Sequence, residues 1–243
     1  ILWDIIEGKE FLGGAPFNFV AHSVQCGGEA HIISRVGDDR LGKQALDLCA
    51  HFGVNSRFIQ IDPDHPTGTV DVVLDLGQPD YTIHEHTAYD YIHPDTINPG
   101  LVNFDLLYFG SLVQRSALSA SALDRVLALT NFPIVFYDVN IRKSLDHKRI
   151  LKHSLPKCTI VKMNKDEVSV VNQVVGERNP SLEVRCRSLV RAYPNIGVVI
   201  ITAAEKGCSV FFDDQLHDIP GIPIQIKDAV GAGDAFSAAF AHD

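Results

Sequence analysis

Short apolar runs rich in β-branched residues occur at 31–34, 106–109, 134–138, 159–163, 198–202 and 209–212. Between them lie segments whose apolar residues recur every three or four positions, at 17–25, 42–52, 119–129, 166–174, 181–192 and from 235 onward. The short runs predict strands and the 3.6-residue period predicts helices. Their alternation predicts an α/β fold with a central, mainly parallel sheet and helices on both faces. The stretch 56–92 breaks the pattern. There Thr69-Val70-Asp71-Val72-Val73-Leu74 and Tyr81-Thr82-Ile83-His84, joined through Gly77-Gln78-Pro79-Asp80, read as a hairpin. A small β lid inserted within about 56–92 of a single α/β domain spanning 1–243 is therefore expected. The apolar set Val70, Val72 and Leu74 needs a cover, which predicts a homodimer through the lid.

Composition narrows the partners. The chain has 243 residues, 46% hydrophobic and 21% charged, enough for one large core. A formal charge of -9 without a basic patch argues against nucleic acid and anionic membranes. The densest apolar stretch, 196–204, is far short of the roughly 20 residues that a membrane-spanning helix needs. Cys26, Cys49, Cys158, Cys186 and Cys208 are scattered, odd in number and free of C-x-x-C spacing, so buried, inert thiols in a reducing compartment, the cytoplasm, are expected. The chain opens at Ile1 without methionine or a secretory leader, and it stops at Asp243 inside an unfinished helical pattern. The expectation is a chain truncated at both ends.

The densest candidate chemistry is near the carboxyl end. Ile222, Ile224 and Ile226 alternate toward a strand, Gly231-Ala232-Gly233-Asp234 follows, and a helix is predicted from Ala235. Two glycines let the backbone turn tightly, and the unpaired amides of a helix start favour an anion. The segment lacks the third small residue of a dinucleotide fingerprint, because Phe236 stands there, and it lacks the Gly-Lys of a Walker A loop. What remains is a cradle for a transferring phosphoryl group beside a carboxylate able to take a proton from the attacking hydroxyl. A helix-capping role for Asp234 is the alternative.

Gly13-Gly14-Ala15-Pro16-Phe17-Asn18 precedes a helix with apolar face Phe17, Val20, Ala21 and Val24. Pro16 suits a first helical turn, and Asn18 offers the donor and acceptor that a polyol requires. A plain turn is the alternative. Asp138-Val139-Asn140-Ile141-Arg142 places three polar residues at period two, on one side if the chain stays extended. Asn164 and Glu167, three apart at a helix start, suit Mg²⁺ held largely through water, or else form a capping box. His84, His86 and His93 imitate a metal cluster but lack a fourth ligand at diagnostic spacing, so surface lid residues are expected.

Together and in this order, these segments resemble the ribokinase or PfkB family of carbohydrate kinases, particularly its fructokinase-like branch, from the first residue to the last. Gly13 to Asn18 resembles the family's sugar-binding segment, and Ser34-Arg35-Val36-Gly37-Asp38-Asp39-Arg40-Leu41-Gly42 resembles its amino-terminal signature. Asp138 to Arg142, Asn164 to Glu167 and Asp228-Ala229-Val230-Gly231-Ala232-Gly233-Asp234 resemble later motifs. The resemblance implies an ATP-dependent kinase acting on a small sugar, with fructose favoured. It implies that Asp4, Gly13, Gly14 and Asn18 bind sugar, that Asp234 is the base, and that Gly231, Ala232, Gly233 and Asp234 form the anion hole. Arg142 would lie near the transferred phosphoryl group. Asn164 and Glu167 would organise Mg²⁺ and phosphates, Thr202 and Gly207 would border the nucleotide, and Asp228 would contribute to a monovalent-cation (K⁺) site. Ala229 stands where Thr or Ser is usual, and Ala204 where glycine is common. Other readings are a 2-keto-3-deoxygluconate kinase, a nucleoside kinase, a catalytically silent sugar-binding regulator and a dinucleotide-dependent oxidoreductase. The absence of arginine from 81–92 leans toward a neutral sugar.

Overall fold

The structure, a computed structural model, describes residues 1–75, 78–98, 103–142, 145–225 and 230–242. In chain order the first elements are β1 (Leu2–Ile6), β2 (Lys9–Gly13), α1 (Ala15–Gln25), β3 (Ser34–Gly37), α2 (Arg40–His51), β4 (Ile59–Asp62), β5 (Thr69–Asp75) and β6 (Gln78–Ile83). There follow β7 (Leu106–Gly110), α3 (Ala117–Leu129), β8 (Ile134–Asp138), α4 (His147–Ser154), β9 (Ile160–Asn164) and α5 (Lys165–Val175). The last are α6 (Leu182–Ala192), β10 (Val198–Thr202), β11 (Gly207–Phe212), β12 (Gln215–Pro220) and α7 (Ala232–His242). No helix among the described residues is long and apolar enough to cross a membrane.

The chain divides into two compact units. One comprises Ile1–Leu101, Ser116–Leu129 and Val230–Asp243. Its four-stranded sheet runs β2-β1-β5-β6, with β1 parallel to β5 and the outer pairs antiparallel. The predicted hairpin is thus half of a larger sheet. β1 and β2 escape the alternation rule because Leu2 and Trp3 are buried on successive positions, while Lys9, Glu10 and Phe11 are all exposed. Glu7 and Gly8, both at positive φ (50° and 77°), close β1 onto β2 in the two-residue turn that matches strand twist. Val70 and Val72 are buried within the chain, so they need no second subunit to cover them. The turn residue Gly77 and the side chain of Leu74 lie outside the described residues.

β3 pairs in parallel with β4 in the same unit, and the strand expected at 31–34 begins only at Ser34; His31 makes a single bridge with Asn55. The glycine-rich signature after β3 is a packing device. Asp39 caps α2 by accepting from Gly42 N at 2.7 Å, and it also accepts from Thr67 N and Thr67 Oγ1 at 2.8 and 2.7 Å. A Cβ on Gly42 would stand 2.1 Å from the Gly37 carbonyl oxygen, so both glycines permit the approach. β6 ends at Ile83, which takes the histidines off the alternating strand. His84 Nε2 meets Asp71 Oδ2 at 2.8 Å, and His86, at φ 57°, places Nδ1 3.2 Å from the Tyr91 hydroxyl.

The other unit comprises Val102–Arg115 and Thr130–Ala229. Its six-stranded sheet runs β12-β11-β10-β9-β8-β7; β7 to β10 are parallel, and β11 and β12 return antiparallel. Five of these strands, β7 to β11, match apolar runs of the sequence, and β8, β9 and β10 do so because parallel strands buried on both faces read as continuous hydrophobic segments. β12 is an edge strand with mostly exposed residues, and α4 buries only Ile150, Leu151 and Ser154, so neither shows a strong pattern. The isoleucine alternation after β12 does not make a strand: Ile222 and Ile224 are 82% and 76% exposed, and Ile226 lies outside the described residues.

All five cysteines are free. Burial pushes the Cys158 and Cys186 thiols up to about 12. Cys26 departs from the expected buried state and is exposed just past the end of α1.

Candidate active site

In the first unit, α1 and α7 pack on each other and carry the two expected halves of a sugar site. Gly14, at φ 95°, turns the chain from β2 into α1, a conformation that favours glycine. A Cβ on Gly13 would stand 2.6 Å from Asp4 Oδ2, so that glycine makes room for the Asp4 carboxylate on the neighbouring strand. Asn18 sits on the first turn of α1, its backbone N–H donating to Gly14 O at 3.0 Å. Asp4, Gly13, Gly14 and Asn18 are thereby tied together by β1, β2 and α1.

α7 begins at Ala232, three residues earlier than the apolar pattern predicts, because Gly231 at φ 74° makes the turn and the small residues after it are already helical. Asp234 is then the third helical residue, not the cap. Ala232 and Gly233 are exposed, whereas the Asp234 amide already donates to Gly231 O at 3.0 Å, so of the expected anion hole the Ala232 and Gly233 amides are the better candidates to meet an anion. The Asp234 carboxylate meets the other half of the site directly: Asn18 Nδ2 donates to Asp234 Oδ2 at 2.8 Å. Val230 precedes this turn, while Asp228, expected at a cation site, and Ala229 lie outside the described residues.

In the second unit the expected nucleotide residues gather at the carboxyl ends of the parallel strands, where open α/β sheets bind ligands. Asn164 ends β9 and pairs in register with Thr202 at the end of β10, which pairs with Cys208 beside Gly207. A Cβ on Gly207, at φ 94°, would stand 2.1 Å from Ile219 O, so the β10–β11 junction requires glycine. Ala204 adopts φ 49°, a left-handed conformation costly for alanine and easy for glycine.

Asn164 and Glu167 form a capping box. Asn164 Oδ1 accepts from Asp166 N and Glu167 N, and Glu167 Oε2 accepts from Asn164 N at 2.8 Å. Glu167 Oε1 accepts from Ile141 N at 2.7 Å, so this buried carboxylate also braces the segment that carries Arg142. Burial pushes its pKa above the usual carboxylate range, with the two backbone amides opposing the rise and Asp138 adding to it.

Asp138 to Arg142 does not stay extended. β8 ends at Asp138 and Asn140 adopts φ 37°, which breaks the period-two alignment of Asp138, Asn140 and Arg142. Asp138 turns inward to accept from Lys162 Nζ at 2.8 Å and from the Tyr108 hydroxyl at 3.1 Å. The Arg142 loop is tied by His147 Nε2, which lies 2.8 Å from Arg142 O. The sequence pattern does not single out Lys162 or Tyr108. The available signal was a lysine inside the apolar run Ile160-Val161-Lys162-Met163, since a buried lysine needs a partner.

A family model described as pfkB family carbohydrate kinase matches residues 6–243. An uncharacterized sugar kinase of Pyrococcus horikoshii, PH1459, is 27% identical over 98% of this chain and 74% of its own length. Its crystal structure aligns with a TM-score of 0.84 at 25% identity, covering 99% of this chain and 80% of that one. The fructokinase of Escherichia coli is 28% identical over 93% of this chain and 74% of its own length. The fructokinase of Vibrio cholerae O395 in its fructose-, ADP- and calcium-bound form shares the fold, with a TM-score of 0.84 at 21% identity over 99% of this chain and 80% of that one. The ordered motifs, the ribokinase-like α/β architecture and this match over nearly the whole length agree: the chain belongs to the pfkB family of carbohydrate kinases.

Proposed function

We propose that this carbohydrate kinase transfers the terminal phosphoryl group of ATP to a hydroxyl of fructose, with Asp234 as general base. The observation that carries this reading is the exposed first turn of α7, Ala232 and Gly233, beside a carboxylate hydrogen-bonded to Asn18 of the sugar-binding segment. A sugar hydroxyl is a poor nucleophile until its proton has a destination, and Asp234 is the acid placed next to the amides that would hold the phosphoryl oxygens. Asp4 and Asn18 hold the sugar, with Gly13 making room for the Asp4 carboxylate and Gly14 supplying the turn into the helix of Asn18. Arg142, Asn164, Thr202 and Gly207 serve the nucleotide end.

The donor set fits Mg²⁺ only in an outer-sphere role. Both Glu167 oxygens already accept backbone amides, which leaves their second lone pairs for metal-bound water, as at the exposed Asn164. When bound, the ion neutralises charge on the phosphates; Glu167 itself holds the loop in place. Asp228 is proposed to contribute to a monovalent-cation site. Free thiols throughout favour the cytoplasm. Homodimerisation through the lid sheet now rests on its exposed Phe11, and sedimentation across micromolar concentrations tests it.

Fructose is supported by the E. coli relative, and ATP by the nucleotide-bound family structures. A coupled ADP-release assay over fructose, other neutral sugars, 2-keto-3-deoxygluconate and nucleosides tests substrate and activity together. We expect fructose to give the highest kcat/KM. A preference for the carboxylated sugar or for nucleosides would replace the substrate, and silence over the whole panel with sugar binding retained would favour a regulator.

A further inference from the structure

We propose that Asn18 is a positioning residue for the base, holding the Asp234 carboxylate in its reactive orientation while the same amide engages the sugar. This inference rests on the reading of Asp234 as general base. A carboxylate only accepts hydrogen bonds, so the Asn18 amide must turn its nitrogen toward Asp234. The 2.8 Å contact from Nδ2 to Oδ2 therefore fixes both side chains at once. Gly231, at φ 74°, makes the turn that brings the start of α7 beside Asn18, close enough that a Cβ there would stand 3.4 Å from Asn18 Nδ2. The two partners come from packed helices, α1 and α7, so their separation is set by the helix interface and not by a loop. With one oxygen of Asp234 held by Asn18, the carboxylate has a fixed orientation from which to take the proton. The second N–H and the carbonyl oxygen of the Asn18 amide give it capacity to hold a sugar hydroxyl as well. Substrate engagement and base orientation thus pass through one side chain.

A residue that only binds sugar would change KM, whereas one that aims the base must also change kcat at saturating sugar. The test is a kinetic cycle of Asn18→Ala, Asp234→Asn and the double variant, with sugar affinity measured by calorimetry and folding by thermal melts. We expect Asn18→Ala to lower kcat by about tenfold to a hundredfold, the cost of a misplaced catalytic group. In the Asp234→Asn background the same change should leave the residual kcat unaltered, because nothing remains to be positioned. An intact kcat with a raised sugar KM overturns the inference, as does an equal kcat loss in both backgrounds. Asn18→Leu keeps much of the shape without the donor or a new charge and serves if the alanine variant does not fold; it should lose a similar share of kcat, and retained kcat counts against positioning. Full activity of Asp234→Asn would instead remove the base itself, an outcome distinct from failure at Asn18 alone, and the positioning role would fall with it.

Discussion

Lys162 carries a buried charge, its side chain 9% exposed and that of its partner Asp138 2% exposed. Desolvating two charges offsets much of their attraction, so the pair adds little net stability, but removing one partner strands the other. Lys162→Met removes the positive charge that faces a buried carboxylate and should cost about 3 to 5 kcal/mol in urea denaturation. Adding Asp138→Asn should restore most of that loss, because a neutral amide tolerates burial better than a carboxylate without its counter-charge. A single-variant loss below about 1 kcal/mol would mean that water reaches the pair. Glu167→Ala separates a brace from a pure metal contact in the same way. It leaves Asn164 N and Ile141 N without their acceptor, at about 1 to 3 kcal/mol each if they stay dry, whereas a residue acting only through metal would leave the metal-free protein as stable as before. At this scale the sequence displayed Asp234, Asn18 and the Asn164–Glu167 spacing, because their chemistry is carried by residue type and local turn. It did not display the Lys162–Asp138 pair, which depends on register between two strands 24 residues apart.

Elements were legible in proportion to how completely one rule governed them. β8 and β10 have the boundaries their apolar runs predict, since both are buried parallel strands. β1, β2, β12 and α4 were not legible: one is buried at successive positions, two are edge strands, and the last is short and charged. Turns carried the remaining surprises. Asp213 and Asp214, at φ 51° and 58°, join β11 to β12 without the glycine usual in such a turn, helped by Arg187 Nε, which lies 2.7 Å from Asp214 Oδ1. Gly42 is the position where helix propensity and packing disagree. Alanine there would gain up to about 1 kcal/mol of intrinsic helix preference, but its Cβ would stand 2.1 Å from Gly37 O, a backbone atom that cannot swing aside. Overpacking typically costs about 1 to 3 kcal/mol, so Gly42→Ala should be destabilising overall in chemical denaturation. A stabilised variant would mean that the β3–α2 turn relaxes freely.

Over the whole molecule, the charge of -9 at neutral pH sets solubility and the repulsion of anionic partners, but acid stability is decided by a few carboxylates. Asp39 and Asp62 are the informative ones. Burial pushes both upward, yet hydrogen bonds outweigh it and hold both below the usual carboxylate range: Thr67 and Gly42 donate to Asp39, and Asp64, Arg35 and His65 engage Asp62. A carboxyl whose folded pKa lies below its unfolded value binds protons more readily once the chain unfolds. Its contribution is therefore fully present above the unfolded value, about 3.9 for Asp, and is lost as pH falls through the lower folded value. Glu167 has the opposite sign, since burial raises its pKa, and its protonation as pH falls through the raised value favours the folded state. The expected profile holds its melting temperature down to about pH 4 and then falls steeply. Asp39→Asn and Asp62→Asn should each lower the neutral-pH melting temperature and flatten the acid fall, because the group that loses its charge is already gone. Both depressed carboxylates lie in the unit that carries Asn18 and Asp234, so acid should unfold that unit and extinguish turnover over the same interval. If turnover and melting temperature both survived unchanged well below pH 3, Asp39 and Asp62 would not be the groups that hold this unit together.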